Sequence, residues 1–569
     1  MNDWWKKAVI YQIYPRSYLD TSGNGIGDLN GVIQKIDYLS NLGIEAIWLS
    51  PFFTSPMKDM GYDVSNYTSI DPMFGTIKEF DDLISIAHKN NIKIIIDQVL
   101  SHSSDQHEAF IDSKSSKNSN RSDWYVWADP KEDGSPPNNW LSVFGGSAWE
   151  WEPQRGQYYF HNFLPSQPDF NFHNEEVQNF LLSVVKFWLD KGVDGFRLDT
   201  VNYYFHDKKL RDNPKSPITF SRPPVNPYYM QNQIFAINQD ENLIFLNKLR
   251  ELLDVYPEKT LVGEIGDSHR AVEIMKSYTR NSRLHMAYSF ELLGKEFSSL
   301  FIRSTLEQFF QEGEESWPCW SFSNHDVTRH VTRWCKDETE SFAKLTCALL
   351  LSLKGTPCIY QGEELGQTET ELLYEEITDP PGIRFWPKNK GRDGCRTPMT
   401  WNHKLNNDEI LVREIIDIDT NYTEDEDTGN NVKQKKGENE NTEENSEANS
   451  EVSDDEFNPT LAAMETEIKP KVLKTVNTLT KEYTKLIKYQ KEKLNCILNS
   501  QNFSTTKEKS YQKIVDDILE NIKSLQLSPS VLEELVQKHY VENKKIISLE
   551  GNLLRLAMDH NIPRNEFIK

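Results

Sequence analysis

Tryptophan is missing from the last 168 of the 569 residues. All 14 lie at or before Trp401, and so do 23 of the 26 glycines. A chain that stops using its largest core residue and its main turn residue at one point changes construction there, so two differently built segments are expected. No run of about 18 apolar residues occurs, which leaves no candidate for a membrane-spanning helix. The opening Met1-Asn-Asp-Trp-Trp-Lys-Lys lacks the apolar core of a secretion signal, so a cytoplasmic location is expected. Positive charge is also short. With 63 Lys and Arg against 87 Asp and Glu, the net charge of −24 repels phosphate backbones and anionic lipid, so neither direct DNA binding nor a membrane partner is expected. The six cysteines show no metal-ligand spacing and read as reduced structural thiols.

What is present first is alternation. Apolar strand candidates fall at 8–15, 44–50, 92–99, 193–200, 260–267, 284–290, 318–326 and 356–362. Between several of them, apolar residues recur at helical spacing, over 28–43, 79–91, 175–192, 241–256, 271–278 and 340–355. Strands and helices in that order predict a parallel sheet covered on both faces, and eight of them fit an α/β barrel of the (β/α)8 TIM type. The rhythm stops once, over 102–172, a stretch rich in Ser, Asn, Pro and aromatics. It is too long for a plain loop and is expected to be a small inserted lid domain, with the barrel formed by 1–101 and 173–401. Its tryptophans (Trp124, Trp127, Trp140, Trp149, Trp151) are read as core.

Thr420–Glu456 holds 13 acids against 3 lysines and almost no large apolar residues, so 402–456 is expected to be a disordered acidic linker. Beyond it, Leu473, Val476, Leu479, Tyr483 and Leu486, then Ile514, Ile518 and Ile522, then Leu549, Leu553 and Leu556 keep helical spacing. They predict an all-helical segment over 457–569.

Three strand candidates end in carboxylates. Val193-Asp-Gly-Phe-Arg-Leu-Asp-Thr200 delivers Arg197 and Asp199, the run 260–267 carries Glu264, and 319–326 ends at Asp326. Strand ends of a barrel surround one mouth, so these acids are expected in one pocket. With Asp97-Gln-Val-Leu-Ser-His102, Val262-Gly-Glu264, Ser323-Asn-His-Asp326 and Gln167-Pro-Asp-Phe-Asn171, they resemble in order the signature segments of the alpha-amylase superfamily, glycoside hydrolase family 13. The branch they resemble is that of oligo-1,6-glucosidase and neutral alpha-glucosidase. The resemblance implies a retaining alpha-glucosidase acting on terminal glucose of small alpha-glucosides, with some glucosyl transfer. Asp199 would be the nucleophile, Glu264 the acid/base and Asp326 the group that orients sugar hydroxyls. One carboxyl held protonated and one ionised is what acetal cleavage needs, and Arg197, two residues before Asp199, would keep it ionised. The resemblance further implies that His102 and His325 bind sugar hydroxyls and that Tyr62 stacks on the ring. Asp63 with Arg392 would block deeper subsites, giving exo-action. Thr200, after the nucleophile, stands where valine accompanies alpha-1,6 and alanine alpha-1,4 preference.

Asp20-Thr-Ser-Gly-Asn-Gly-Ile-Gly-Asp28 sets oxygen donors at alternate positions, as in a calcium loop. Relatives in this branch hold structural Ca²⁺ or Mg²⁺ there, through positions matching Asp20, Ser22, Asn24, the Ile26 carbonyl and Asp28. An ordinary Gly/Asn turn is the rival reading. Ser101 stands where many amylases have a calcium-binding asparagine, so that second site is not expected.

After Trp401 the family's last barrel helix and C-terminal β-sandwich are not seen. The remainder resembles the non-conserved region of a bacterial primary sigma factor, without its promoter-reading core, so a contact with RNA polymerase is the partner it implies. Lacking the last helix, the barrel is expected to show an open strand edge and apolar surface near its first and eighth strands. Two rivals to the enzyme remain: a non-catalytic transporter subunit of glucosidase type, which would lack the acids and carry a membrane span, and a fusion whose tail binds polymerase with the barrel as passenger.

Overall fold

The computed structural model describes residues 3–311, 316–335, 339–401, 416, 461–499 and 503–560, and the chain divides into two compact units, Met1–Thr400 and Trp401–Lys569. In the first unit eight strands form one sheet: β1 (Ile10–Ile13), β2 (Ala46–Leu49), β3 (Lys93–Gln98), β4 (Gly195–Leu198), β5 (Thr260–Ile265), β6 (Met286–Ser289), β7 (Cys319–Trp320) and β8 (Thr356–Tyr360). Their order is β6-β5-β4-β3-β2-β1-β8-β7, every neighbour parallel. A parallel bridge from Ala287 to Pro318 links β6 to the residue before β7, so the sheet curls into the expected barrel.

The strands form where β-branched and aromatic residues run together between turns. β2 and β4 are buried along their whole length, as strands covered on both faces must be. Around them lie helices such as Ile77–Lys89, which starts with a capping box between Thr76 and Glu79 and buries Phe80, Leu83, Ile84 and Ala87 on one face.

Three details differ from the sequence expectations. The helix over 28–43 is two, Leu29–Gln34 and Ile36–Leu42, broken at Lys35. A further helix, Ser299–Phe310, stands between β6 and β7 where none was expected. No open edge exists at β1 and β8, because the two pair with each other through Ile10–Cys358, Tyr11–Ile359 and Gln12–Tyr360. Exposed leucines nearby, Leu345, Leu351 and Leu365, do leave apolar surface.

Between β3 and β4 the chain adds a helix, Glu108–Ser115, and three short antiparallel strands, Trp127–Ala128, Trp149–Glu152 and Gln157–Phe160. Trp140 and Trp149 stack with ring centres 5.9 Å apart in a cluster with Phe144, Phe160 and Phe163. An antiparallel bridge between His102 and Asp169 ties the two ends of this segment together.

The second unit consists, among its described residues, of the helices Leu461–Leu498, Thr505–Ser524 and Pro529–Asp559, with Ile416, Ile468, Val472 and Leu525 buried together. The acidic tract expected as a linker lies outside the described residues.

Candidate active site

Alternation along β4 decides the centre of the site. Phe196 and Leu198 are fully buried on one face, so Arg197 and the following Asp199 share the other. Arg197 Nη1 donates to Asp97 Oδ1, at the end of β3, and to Asp199 Oδ1, both at 2.7 Å. Its Nη2 lies 2.7 Å from Glu264 Oε1 on β5. One guanidinium therefore joins the ends of three successive strands and holds Asp199 and Glu264 side by side.

Beyond Asp199 the backbone turns sharply. Thr200 adopts a left-handed conformation (φ 40°, ψ 49°), a strained one for a β-branched residue. The turn aims its N–H at Glu264 Oε2, 3.0 Å away. Its hydroxyl bonds Asp199 Oδ2 at 3.3 Å and pairs with Ser101 Oγ at 3.1 Å. From β6, the Tyr288 hydroxyl donates to Glu264 Oε1 at 3.0 Å and accepts from Arg197 Nε and Nη2 at 3.1 and 2.8 Å.

Burial of so many acids moves their proton affinities. It pushes Asp199 and Glu264 each up to about 7 and Asp97 up to about 6, with Arg197 opposing the rise in all three. Arg197 favours the ionised form of Asp199, as expected from the sequence, while burial works against it. The like charge of Asp199 also raises Glu264, so the two carboxyls titrate as a coupled pair. Asp326 behaves oppositely. Burial would raise it, but the His325 ring and the Arg392 and Arg396 guanidinium groups hold it well below the usual carboxylate range. Its Oδ1 accepts from Arg392 Nη1 and Arg396 Nη2, each at 3.1 Å.

These groups face a cavity of about 600 Å³, lined by Asp59, Tyr62, His102, Asp199, Glu264, Asp326 and Arg392 among others. Tyr62 stacks on His325 (centres 5.3 Å apart, planes 5° off parallel) and its hydroxyl contacts His325 Nε2 and Asp97. His325 is fully buried behind the cavity wall; Gln12 Nε2 meets its Nδ1 at 2.7 Å, which leaves the ring proton on Nε2, 3.2 Å from Asp326 Oδ2. His102 lines the cavity, held by Ser101 Oγ at 2.9 Å and the Tyr62 carbonyl at 3.1 Å; burial lowers it to about 4, so the ring is neutral.

Asp63 is a correction. Its carboxylate is used up within its own loop, by Ser55 Oγ and the N–H groups of Lys58 and Asp59, and it does not line the cavity. Asp59 meets Arg392 instead, at 2.8 Å, and Arg392 is anchored from behind by Asp379. Asp59, Asp379 and Tyr288 escaped the sequence reading. Asp59 stands four residues before Asp63, and an inward tyrosine on a barrel strand was the available signal for Tyr288.

In the Asp20–Asp28 loop all the candidate donors are oxygens. Asp20 accepts the N–H groups of Ser22, Gly23 and Gly25, Asn24 Oδ1 that of Ile26, and Asp28 those of Thr21 and Gly31. The Thr21 hydroxyl also bonds both Asp28 oxygens, and the Ser22 hydroxyl bonds Asp20 Oδ1. The loop thus satisfies most of its own donors and acceptors, and of its carboxylate oxygens only Asp20 Oδ2, with one partner, keeps a lone pair for a hard cation. Among the described residues no three His, Cys, Asp or Glu side chains converge as a metal cage, and no helix is long and apolar enough to cross a membrane.

Residues 12–444 match the model of the alpha-amylase catalytic domain, and residues 396–569 that of the sigma-70 non-essential region. A probable alpha-glucosidase of Rhizobium meliloti (strain 1021) is 55% identical over 407 residues, 70% of this chain and 74% of that protein. An oligo-1,6-glucosidase of Heyndrickxia coagulans is 38% identical over 74% of this chain and 81% of its own. Among solved structures, the alpha-glucosyl transfer enzyme XgtA superposes with a TM-score of 0.69 at 54% identity, over 71% of this chain and 76% of the other.

Proposed function

Since the chain belongs to the alpha-amylase family of glycoside hydrolases, we propose that it is a retaining, exo-acting alpha-glucosidase of maltose-like disaccharides and short oligosaccharides. The observation that carries this reading is the single Arg197 guanidinium bonded to both Asp199 and Glu264 beside the cavity. Two carboxyls so joined suit the close spacing of about 5 Å that retention requires.

Glu264 gives its proton to the glycosidic oxygen as the bond from that oxygen to C1 breaks. An oxygen of Asp199 bonds C1 from the opposite face, forming a glucosyl ester. A water, losing its proton to Glu264, then attacks C1, and the ester bond returns its electron pair to Asp199. Two inversions leave the α-anomer. Asp326, kept ionised by its arginines, takes hydrogen bonds from sugar hydroxyls, and Asp59 with Arg392 closes the cavity beyond the terminal glucose, which restricts cleavage to one end. An acceptor sugar in place of water gives transglucosylation. Chemistry of this family needs no cofactor. A structural Ca²⁺ or Mg²⁺ in the Asp20–Asp28 loop belongs to the same reading; a chelator then lowers Tm without altering the pH profile.

The test is a panel of maltose, isomaltose, sucrose and trehalose, with Asp199→Asn as control and the anomer followed by NMR. Released α-glucose that disappears in Asp199→Asn supports the reading; activity surviving that substitution ends it.

A second reading concerns the tail, because its match to the sigma-70 non-essential region covers 396–569. We propose that this segment contacts core RNA polymerase. Co-purification of the full chain with core enzyme tests it, and no retention above a tail-deleted control refutes it.

A further inference from the structure

Glu264 has two carboxyl oxygens, and the groups around them are not alike. Oε1 receives two donors, the Tyr288 hydroxyl at 3.0 Å and Arg197 Nη2 at 2.7 Å. Each carboxylate oxygen offers two lone-pair sites, so Oε1 is filled. Oε2 receives one, the Thr200 N–H at 3.0 Å. A proton on Glu264 therefore has its place on Oε2.

The direction of the Tyr288 bond follows from the same accounting. Its hydroxyl already accepts from Arg197 Nε and Nη2, which have hydrogens and no lone pairs to offer. Its single proton then points to Glu264 Oε1. The ring is fixed by burial, 3% exposed, and by packing on Trp48 with centres 6.0 Å apart. Among the described residues its hydrogen bonds go to Arg197 and Glu264.

We infer that Tyr288 is a positioning residue for the acid/base: it occupies Oε1, directs the transferable proton to Oε2, and, by donating to the ionised form, sets how readily Glu264 gives the proton up. The inference rests on the proposed glucosidase reading and assigns a role to a residue on β6, a strand that carried none of the expected site residues.

Tyr288→Phe removes the donor and leaves the ring. A hydrogen bond to a charged group lost in this way moves the alkaline limb of kcat/KM upward by roughly one pH unit. The loss in rate falls mainly on substrates whose leaving group needs protonation. Maltose is expected to slow at least tenfold more than 4-nitrophenyl α-glucoside, whose phenolate leaves unaided. Incorporation of 3-fluorotyrosine at position 288, a stronger donor of nearly the same shape, moves the limb downward, and reports even where the phenylalanine variant fails to fold. A limb that stays put in both proteins, or equal losses on the two substrates, overturns the inference. Glu264→Gln separates this from failure of the glucosidase reading itself: if it hydrolyses maltose like the parent, the acid/base assignment falls and the Tyr288 role with it.

Discussion

Arg392 and Asp59, 333 positions apart in the chain, meet at 2.8 Å across the mouth of the barrel, the first from the loop after β8 and the second from the loop after β2. The guanidinium also bonds Asp379 and Asp326, so one side chain serves three carboxylates. Arg392→Ala leaves those acids buried without their partner, a loss on the order of 3 kcal/mol. Maltose kcat/KM is expected to fall about a hundredfold, chiefly through KM, as steady-state kinetics can show. Asp63→Asn, by contrast, affects only its own loop and leaves KM within a few fold.

The acid itself is tested by changing the leaving group. Glu264→Gln cannot protonate an outgoing sugar, so maltose hydrolysis drops by about 10²–10⁴. Alpha-glucosyl fluoride, whose fluoride leaves without help, still forms the glucosyl ester, visible as a burst of fluoride on a fluoride electrode. Equal loss on both substrates counts against the assignment.

The paired carboxyls predict a bell-shaped pH profile. Both Asp199 and Glu264 are pushed up to about 7, with burial the main cause. Coupling spreads their titration into two steps. kcat/KM declines on the alkaline side, as the pair gives up its last proton, and on the acid side, as a second proton binds. Rates measured from pH 4 to 10 check this; a flat profile across pH 6–9 contradicts it.

Away from the site, Glu363 makes a separate prediction about stability. It is nearly fully buried, and burial lifts its carboxyl to about 8, with the Tyr360 N–H at 3.0 Å on one oxygen and the His330 ring 3.4 Å from the other. The unfolded chain releases this proton near the ordinary glutamate value of about 4.3 and the folded chain holds it. Folding therefore takes up a proton between those limits. The contribution to stability is complete below the lower value and is lost as pH rises through the window, by about 1.4 kcal/mol per unit. Glu363→Gln removes that slope. Tm measured at pH 5 and pH 8 is expected to converge in the variant, and an unchanged difference rejects the idea.

Thr200 offers a test of linkage preference. Its hydroxyl touches Asp199 and Ser101, and valine keeps the shape while losing both bonds. Thr200→Val is expected to raise the isomaltose-to-maltose ratio of kcat/KM several-fold, as competition assays can read; an unchanged ratio argues that linkage is selected elsewhere.

Most of the barrel was legible because strands buried on both faces carry short apolar runs, such as Ala46–Leu49 and the three isoleucines 94–96. The helix Ser299–Phe310 was not. Its apolar residues are spread around the axis, Leu300 being 79% exposed while Ile302 and Phe309 are buried, so no single face stands out. In the site, the acids could be read from their places at strand ends, but the choice between Asp59 and Asp63 could not. It is made by the loop itself, which turns at Gly61 with φ 108° and directs Asp63 back onto Lys58 and Asp59. Nor could sequence say which way the Tyr288 proton points, since that depends on Arg197 arriving from another strand.

The barrel is not equally strong around its girth. β7 is two residues long, and among the described residues it is joined to β6 by the bridge from Ala287 to Pro318, the residue before β7, against four paired residues between β6 and β5. Glu264 and Tyr288 stand on one bank of that seam, Asp326 on the other. Thermal opening should start there, so the amides flanking Pro318 exchange with solvent before those of β3 and β4, and heat silences the enzyme while most of its secondary structure is still intact.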